Sequence, residues 1–395
     1  MSYLRIAGLA LAAWAYSGPL SAAMAQQQDR TIANDTAGQT LRVASWGGAY
    51  GQAQERALLS AIDGELGVKV ERITRRTDKP DPGEADVVEV DQLTLTKGCK
   101  TGAFAEIGKV ELAPAQDGGP ADEDFVSGGI SKCGIASFAW SSLILVDLSN
   151  FKKRKPKSLA DVFNVKRFPG KRAFPQKAER LLEMLVMANG AATDEVYTAL
   201  KDRKTVDNAF ARLEAMLPHI VWVKSASKAI AELERGQVKF ALGYSGRAFR
   251  KTIAGNLSAI WDKHIYDYGS WAISSEAEDK DLARKFIVLA TTPKHLAAQA
   301  RLWPYGPMRK SAAAMVGRHS LLDVELAPFM PTSDIRLDAG LRRDGQFWTE
   351  NAGRFNDRLA ALLEGYPKGI RVPPPNRRPE PPPRQDQEPP KSDTN

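Results

Sequence analysis

The stretch Ser45-Trp46-Gly47-Gly48-Ala49-Tyr50 sets a hydroxyl, two aromatic faces and a pair of glycines side by side. Such glycines let the backbone turn sharply and let a bound molecule come close to it. Three further turns carry the same residue types. Tyr244-Ser245-Gly246-Arg247 offers an aromatic ring, a hydroxyl, a glycine and a fixed cation. Asp267-Tyr268-Gly269-Ser270-Trp271 repeats the pattern with an acid, and Tyr305-Gly306-Pro307 completes the set. Aromatic walls with a few polar groups line small-molecule clefts, and aromatic faces attract cations. A single Trp or Tyr at a strand end is as readily a core residue. Four such turns in one chain point to a cleft.

Bond-making chemistry has little support. The chain has no G-x-x-x-x-G-K-[ST] loop and no G-x-G-x-x-G after a strand. Gly243-Tyr244-Ser245-Gly246 is one residue short of a G-x-S-x-G elbow. The only cysteines are Cys99 and Cys133, and His219, His264, His295 and His319 are dispersed, so no metal-ligand spacing arises. The expectation is a binding protein with no cofactor and no catalytic residues.

The elements that must carry these turns read as α/β. Leu41–Ser45 is strand-like, Gln52–Leu66 has apolar residues at helical spacing, Val68–Ile73 alternates, and Ala85–Val90 is a strand ending at Asp91. This β-α-β order predicts a parallel sheet, in which ligands bind beyond the carboxyl ends of the strands. Gly134–Val146 is an apolar run able to cross between two lobes. Ser158 caps a helix start, and 168–173 is a turn into a strand. Helical patterns follow at 177–189, 193–201 and 205–216. Val221–Val223 is a strand, Ser227–Arg235 a helix, Val238–Gly243 a strand, and Gly269–Ile273 another. Asp279–Ala290 is an amphipathic helix, a second runs to Leu302, and Phe347–Leu363 is the last.

The ends of the chain have other roles. Residues 1–25 read as a secretory signal: Arg5, the apolar run Ile6–Tyr16, then Ala23-Met24-Ala25 as a small-x-small cleavage site. An uncleaved anchor is the alternative, although the run is short for a membrane span. Residues 26–40 are a polar leader, and 371–395 form a Pro-rich, charged tail that cannot build a core. The mature chain, part of a sequence that is 43% hydrophobic, suffices for two lobes. The net charge of +8 is scattered, with Lys152-Lys153-Arg154-Lys155 as its densest cluster, so no nucleic-acid partner is expected. After export a lone cysteine pair is expected to be joined, with two buried thiols as the alternative.

The chain resembles an extracellular solute-binding protein of an ABC importer, in the spermidine/putrescine-binding family of type II periplasmic binding proteins. The resemblance rests on Ser45–Tyr50, Ala85–Val88 before Asp91, Lys97–Cys99, Cys133–Ile135, Trp140–Ser142 and Pro156–Phe163. It continues through Phe168–Arg172, Gly236–Val238, Tyr244–Arg247, Gly269–Ile273, Ala283–Phe286, Tyr305–Pro307 and Asp344–Trp348. It implies two hinged α/β lobes with mainly parallel sheets and helices on both faces: lobe 1 from 41–135 and 268–310, lobe 2 from 136–267 and 311–370. It also implies a periplasmic monomer, a small-molecule ligand, an inner-membrane permease as partner, and a Cys99–Cys133 bridge.

The departures from that family bear on the ligand. The family's acid after aromatic-x-Gly is here Arg247, a second acid falls at Gly269 with Asp267 two residues before it, and a polar pair becomes Gly47-Gly48. Lost carboxylates and a gained guanidinium oppose a polycation and favour a carboxylate. The expected ligand is therefore a zwitterionic or carboxylate-bearing amine. The expected site is Ser45, Trp46, Gly47, Gly48, Tyr50, Asp91, Tyr244, Ser245, Arg247, Asp267, Gly269, Trp271 and Tyr305. In it Trp46, Tyr244, Trp271 and Tyr305 hold the amine and alkyl part and Arg247 the acid. Polyamine binding through Asp267 is the alternative, as is an exported accessory role for the Pro-rich tail.

Overall fold

The structure, a computed structural model, describes residues 39–75, 79, 81–255 and 257–365. The export signal at 1–25, most of the leader and the tail at 371–395 lie outside these. Among the described residues, no helix is long and apolar enough to cross a membrane.

Among the described residues, twelve strands form one sheet: β1 (Thr40–Trp46), β2 (Lys69–Arg75), β3 (Val87–Asp91), β4 (Phe104–Ala105), β5 (Ile130–Ser131), β6 (Gly134–Val146), β7 (Arg172–Pro175), β8 (Ile220–Val223), β9 (Phe240–Tyr244), β10 (Ser258–Ser274), β11 (Gly306–Pro307) and β12 (Leu341–Arg342). The main order is β2-β1-β3-β10-β6-β9-β7-β8. β1 runs parallel to β2 and β3, and β7 runs parallel to β8 and β9. Between these two parallel flanks lies an antiparallel centre. β10 pairs with β3 at one end and β6 along its length, and β6 pairs with β9 at the other end. The sheet is thus mixed, and β6 and β10 are the strands that cross from flank to flank.

β10 is far longer than the run at 269–273 suggests. Its register against β6 shifts between Ile260 and Ile265, and Lys263 there has φ 50°. Side-chain alternation is lost at that irregularity, which hid the first half of the strand.

Each flank has its own core. On one, Val43, Leu58, Val87, Trp271 and Phe286 pack under the helical run from Gly48 to Leu66 and the helix Lys280–Ala290. On the other, Met184, Phe210, Phe240, Trp348 and Phe355 pack with the helices Leu181–Ala188, Arg203–Met216 and Gly345–Glu364. A smaller cluster of Phe138, Phe249, Leu296 and Met330 joins the two sides. Several helix starts follow from capping: Ser158 and Asp161 form a capping box, and Asp279 accepts the Leu282 N–H. Cys99 and Cys133 are joined, tying the helix Gln92–Thr101 to the start of β6.

Candidate ligand-binding cleft

β1 ends at Trp46, and Gly48 with φ 69° turns the chain into the next helix. That turn delivers Tyr50 to a buried position. Its ring lies 5.3 Å from that of Tyr305, which lies 6.1 Å from both Trp140 and Trp303. Gly246, on the opposite flank, meets this cluster closely. A Cβ there would sit 2.6 Å from Tyr305 Cε1 and 2.7 Å from Trp303 Nε1. Three of the four turns read from the sequence, at 45–50, 244–247 and 305–307, therefore converge. Burial pushes the Tyr50 phenol well above its ordinary pKa and that of Tyr305 up to about 12, so both stay neutral.

Beside Tyr244 lies a charged node. Asp267 on β10 is 2% exposed, and its Oδ2 accepts from Arg343 Nη1 at 3.0 Å, with Arg180 Nη2 at 3.9 Å. Its Oδ1 accepts the Tyr268 N–H at 2.9 Å. Burial raises the Asp267 pKa, against the pull of Arg343 and Arg180. Burial also works against the Arg343 charge, but Asp267, Glu183 and Asp91 outweigh it and hold that pKa above the usual value. The Arg180 guanidinium lies 5.6 Å from the centre of the Tyr244 ring. Arg180 adopts φ 71°, ψ −36°, a backbone conformation that L-residues rarely occupy and that clusters at ligand clamps. Its backbone N–H donates to Glu183 Oε2 at 2.7 Å, and Trp348 donates its indole N–H to Glu183 Oε1. The buried Nε atoms of Arg180 and Arg343 have no partner among the described residues.

The other expected site residues divide. Trp46 is half-buried under the Arg75 guanidinium, 5.6 Å away. Asp91 caps the helix Gln92–Thr101 by accepting the Thr94 N–H at 2.8 Å, and pairs in register with Gly269. Ser245 Oγ accepts the Ser141 N–H, and Ser45 is buried with its Oγ unpartnered among the described residues. Gly47 precedes the helix as its cap residue.

Trp271 requires a correction. It is fully buried and edge-on to Phe286 at 5.3 Å, because it lies one pleat deeper than Gly269 under the helices, so it is a core residue. Arg247 is exposed and donates to Ser227 on its own flank; it does not pair with Asp267. Arg180 and Arg343 were missed, since nothing in their neighbourhoods resembles a ligand turn. The only hint was Asp344–Trp348, whose Trp348 props Glu183 under Arg180.

Two parallel flanks bridged by crossing strands, with aromatic and charged groups meeting where the flanks face each other, define a two-lobed solute-binding protein. The family described as bacterial extracellular solute-binding protein matches residues 69–321, and the chain belongs to it. The chain is 31% identical over 335 residues to the gamma-aminobutyric acid-binding protein of Pseudomonas aeruginosa, covering 82% of this chain and 90% of that protein. An ABC transporter substrate-binding protein from Bradyrhizobium japonicum USDA 110 is 25% identical with a TM-score of 0.69, covering 82% of this chain and 99% of its own. The periplasmic binding protein MotA from A. tumefaciens B6, solved with glucopine, is similar in fold at 20% identity, with a TM-score of 0.68 and the same coverage. These relatives do not favour the narrower spermidine/putrescine branch.

Proposed function

We propose that the protein binds a small zwitterionic amine, of the ω-amino acid or opine class, and passes it to an inner-membrane ABC permease as an exported periplasmic monomer. The observation that carries the ligand class is the node at Asp267. Its carboxylate is occupied by Arg343 and flanked by Arg180, so the acid most available to a polycation in the sequence is neutralised. Two guanidinia around one aspartate suit an added carboxylate, and Arg180, held over Tyr244, is the cation placed to receive it. The rings of Tyr50, Trp140 and Tyr305 supply faces for the alkyl and amine part. The named ligands of the relatives, gamma-aminobutyric acid and glucopine, both fall in this class. Closure would bring the flanks together about β6 and β10, with the ligand contacting both.

A thermal-shift screen of the mature protein tests this reading. γ-Aminobutyrate, opines, phosphonates, putrescine and spermidine are compared. The ligand class should stabilise by about 2.7 kcal/mol at a hundredfold excess over Kd. Stabilisation by spermidine or putrescine alone would contradict it.

A further inference from the structure

We infer that Glu89, on β3, is the carboxylate that receives the ligand's ammonium group. The inference rests on the zwitterion reading above.

Glu89 stands in an apolar strand between Val88 and Val90 and is 1% exposed. Asp267 and Asp124, comparably buried, each face a guanidinium. Glu89 faces no cation among the described residues. Its neighbours are neutral donors: Tyr50 OH at 2.6 Å and Ser137 Oγ at 2.7 Å, both to Oε1, and Gln54 Nε2 at 3.1 Å to Oε2. Each carboxylate oxygen has two acceptor positions, so one on Oε2 is left over. A buried carboxylate with no counter-charge is costly, and an arriving ammonium removes that cost.

The surroundings suit such a group. Ser45 Oγ and Gln54 Oε1 are buried without a partner among the described residues, and oxygen acceptors are what an ammonium needs. Gly269 packs tightly beside the carboxylate: a Cβ there would lie 3.3 Å from Glu89 Oε1, so glycine keeps that oxygen uncrowded. Tyr50 and Tyr305 roof the site, and Tyr305 rests on Gly246 of the opposite flank, so parting the flanks uncovers it. Asp267, at the guanidinium node, is two residues from Gly269 along β10, next to a register shift against β6.

Burial holds the Glu89 carboxyl above the ordinary range, against its hydrogen bonds from Tyr50, Ser137 and Gln54. The titratable groups facing it from packed elements are Tyr50 and Tyr305, both neutral; Asp91, further along its own strand, is engaged in capping. Relative to an exposed glutamate, burial shifts the empty site toward the protonated carboxyl, and an arriving ammonium pulls it back toward the ionised form. Affinity should therefore fall as pH is lowered through the range in which the free carboxyl titrates, with the displaced proton going to solvent.

The test is calorimetric titration of wild type, Glu89→Gln and Glu89→Asp with γ-aminobutyrate and n-butyrate, in buffers of different ionisation enthalpy. Wild type should bind γ-aminobutyrate, reject butyrate, and, in titrations carried down into the acid range where a buried carboxyl takes up its proton, release protons in an amount that falls as pH rises. Glu89→Gln should lose at least about thirtyfold in γ-aminobutyrate affinity, release no proton, and discriminate poorly between the two probes. Should that variant fail to fold, proton release by wild type decides. Binding with no pH-dependent release, or equal affinity in Glu89→Gln, overturns the role of Glu89 and leaves the zwitterion reading standing. Rejection of γ-aminobutyrate by wild type, with a polyamine bound instead, overturns both.

Discussion

Glu183 accepts the backbone N–H of Arg180 at 2.7 Å, closing the first turn of the helix that begins at Leu181. The same buried carboxylate takes the indole N–H of Trp348 and the Tyr197 hydroxyl, the latter at 3.3 Å. The C-terminal helix thereby fixes the backbone on which the cleft guanidinium is mounted. Glu183→Ala should leave these three donors unmet and lower stability by at least about 3 kcal/mol, at about 1–3 kcal/mol per stranded group. Urea unfolding measures the loss. Calorimetry on the folded fraction should show weaker ligand binding as well.

Arg180 itself separates strain from recognition. With φ at 71°, Arg180→Gly should be more stable than Arg180→Ala by about 1 kcal/mol, because glycine adopts that conformation readily. Both should lose the ligand. Equal stability of the two variants would deny the strain, and retained affinity in either would deny the role in binding.

Gly246 is where the opposite flank meets the aromatic cluster. A methyl group at 2.6 Å from Tyr305 must push the ring away. Gly246→Ala should therefore weaken binding about tenfold or more, roughly 1.4 kcal/mol, with little change in Tm. A large fall in Tm with intact affinity would instead assign Gly246 to folding.

What the sequence disclosed depended on how local the signal was. β1, β3 and the crossing run at 134–146 were legible because apolar pattern and turn residues bound them. The Cys99–Cys133 bridge was legible because a lone cysteine pair on a chain read as exported is expected to be joined, as the family resemblance also implies. The first half of β10 was not, since the irregularity around Lys263 breaks the alternation that marks a strand. Trp271 and Tyr305 have similar aromatic-glycine contexts, yet Trp271 is sealed against Phe286 in one flank's core while Tyr305 meets Tyr50, Trp140 and Trp303; only packing separates those outcomes. Arg180 was illegible for a different reason. Its position depends on Glu183 and Trp348, brought together only by the packing of the C-terminal helix.

His264 makes stability pH-dependent in a definite direction. It is buried on β10, with Nδ1 2.7 Å from Ser141 Oγ and Nε2 3.0 Å from the Arg336 carbonyl oxygen. Burial lowers its pKa to about 4, so the folded protein keeps it neutral where the unfolded chain, near 6.5, already takes a proton. The unfolded state then binds more protons, and stability rises with pH across that window. It should be complete above about pH 6.5 and fall toward pH 4, by at most about 3 kcal/mol. Denaturation of wild type and His264→Gln across pH 4–7 checks this: the variant should show a flatter profile.

Whether the cleft selects a zwitterion over a polycation is decided by calorimetric titration of the mature protein with γ-aminobutyrate, n-butyrate and putrescine. γ-Aminobutyrate should bind most tightly, butyrate weakly and putrescine weakest, because Arg343 occupies Asp267 and Arg180 flanks it. Putrescine binding as tightly as γ-aminobutyrate would contradict that selectivity.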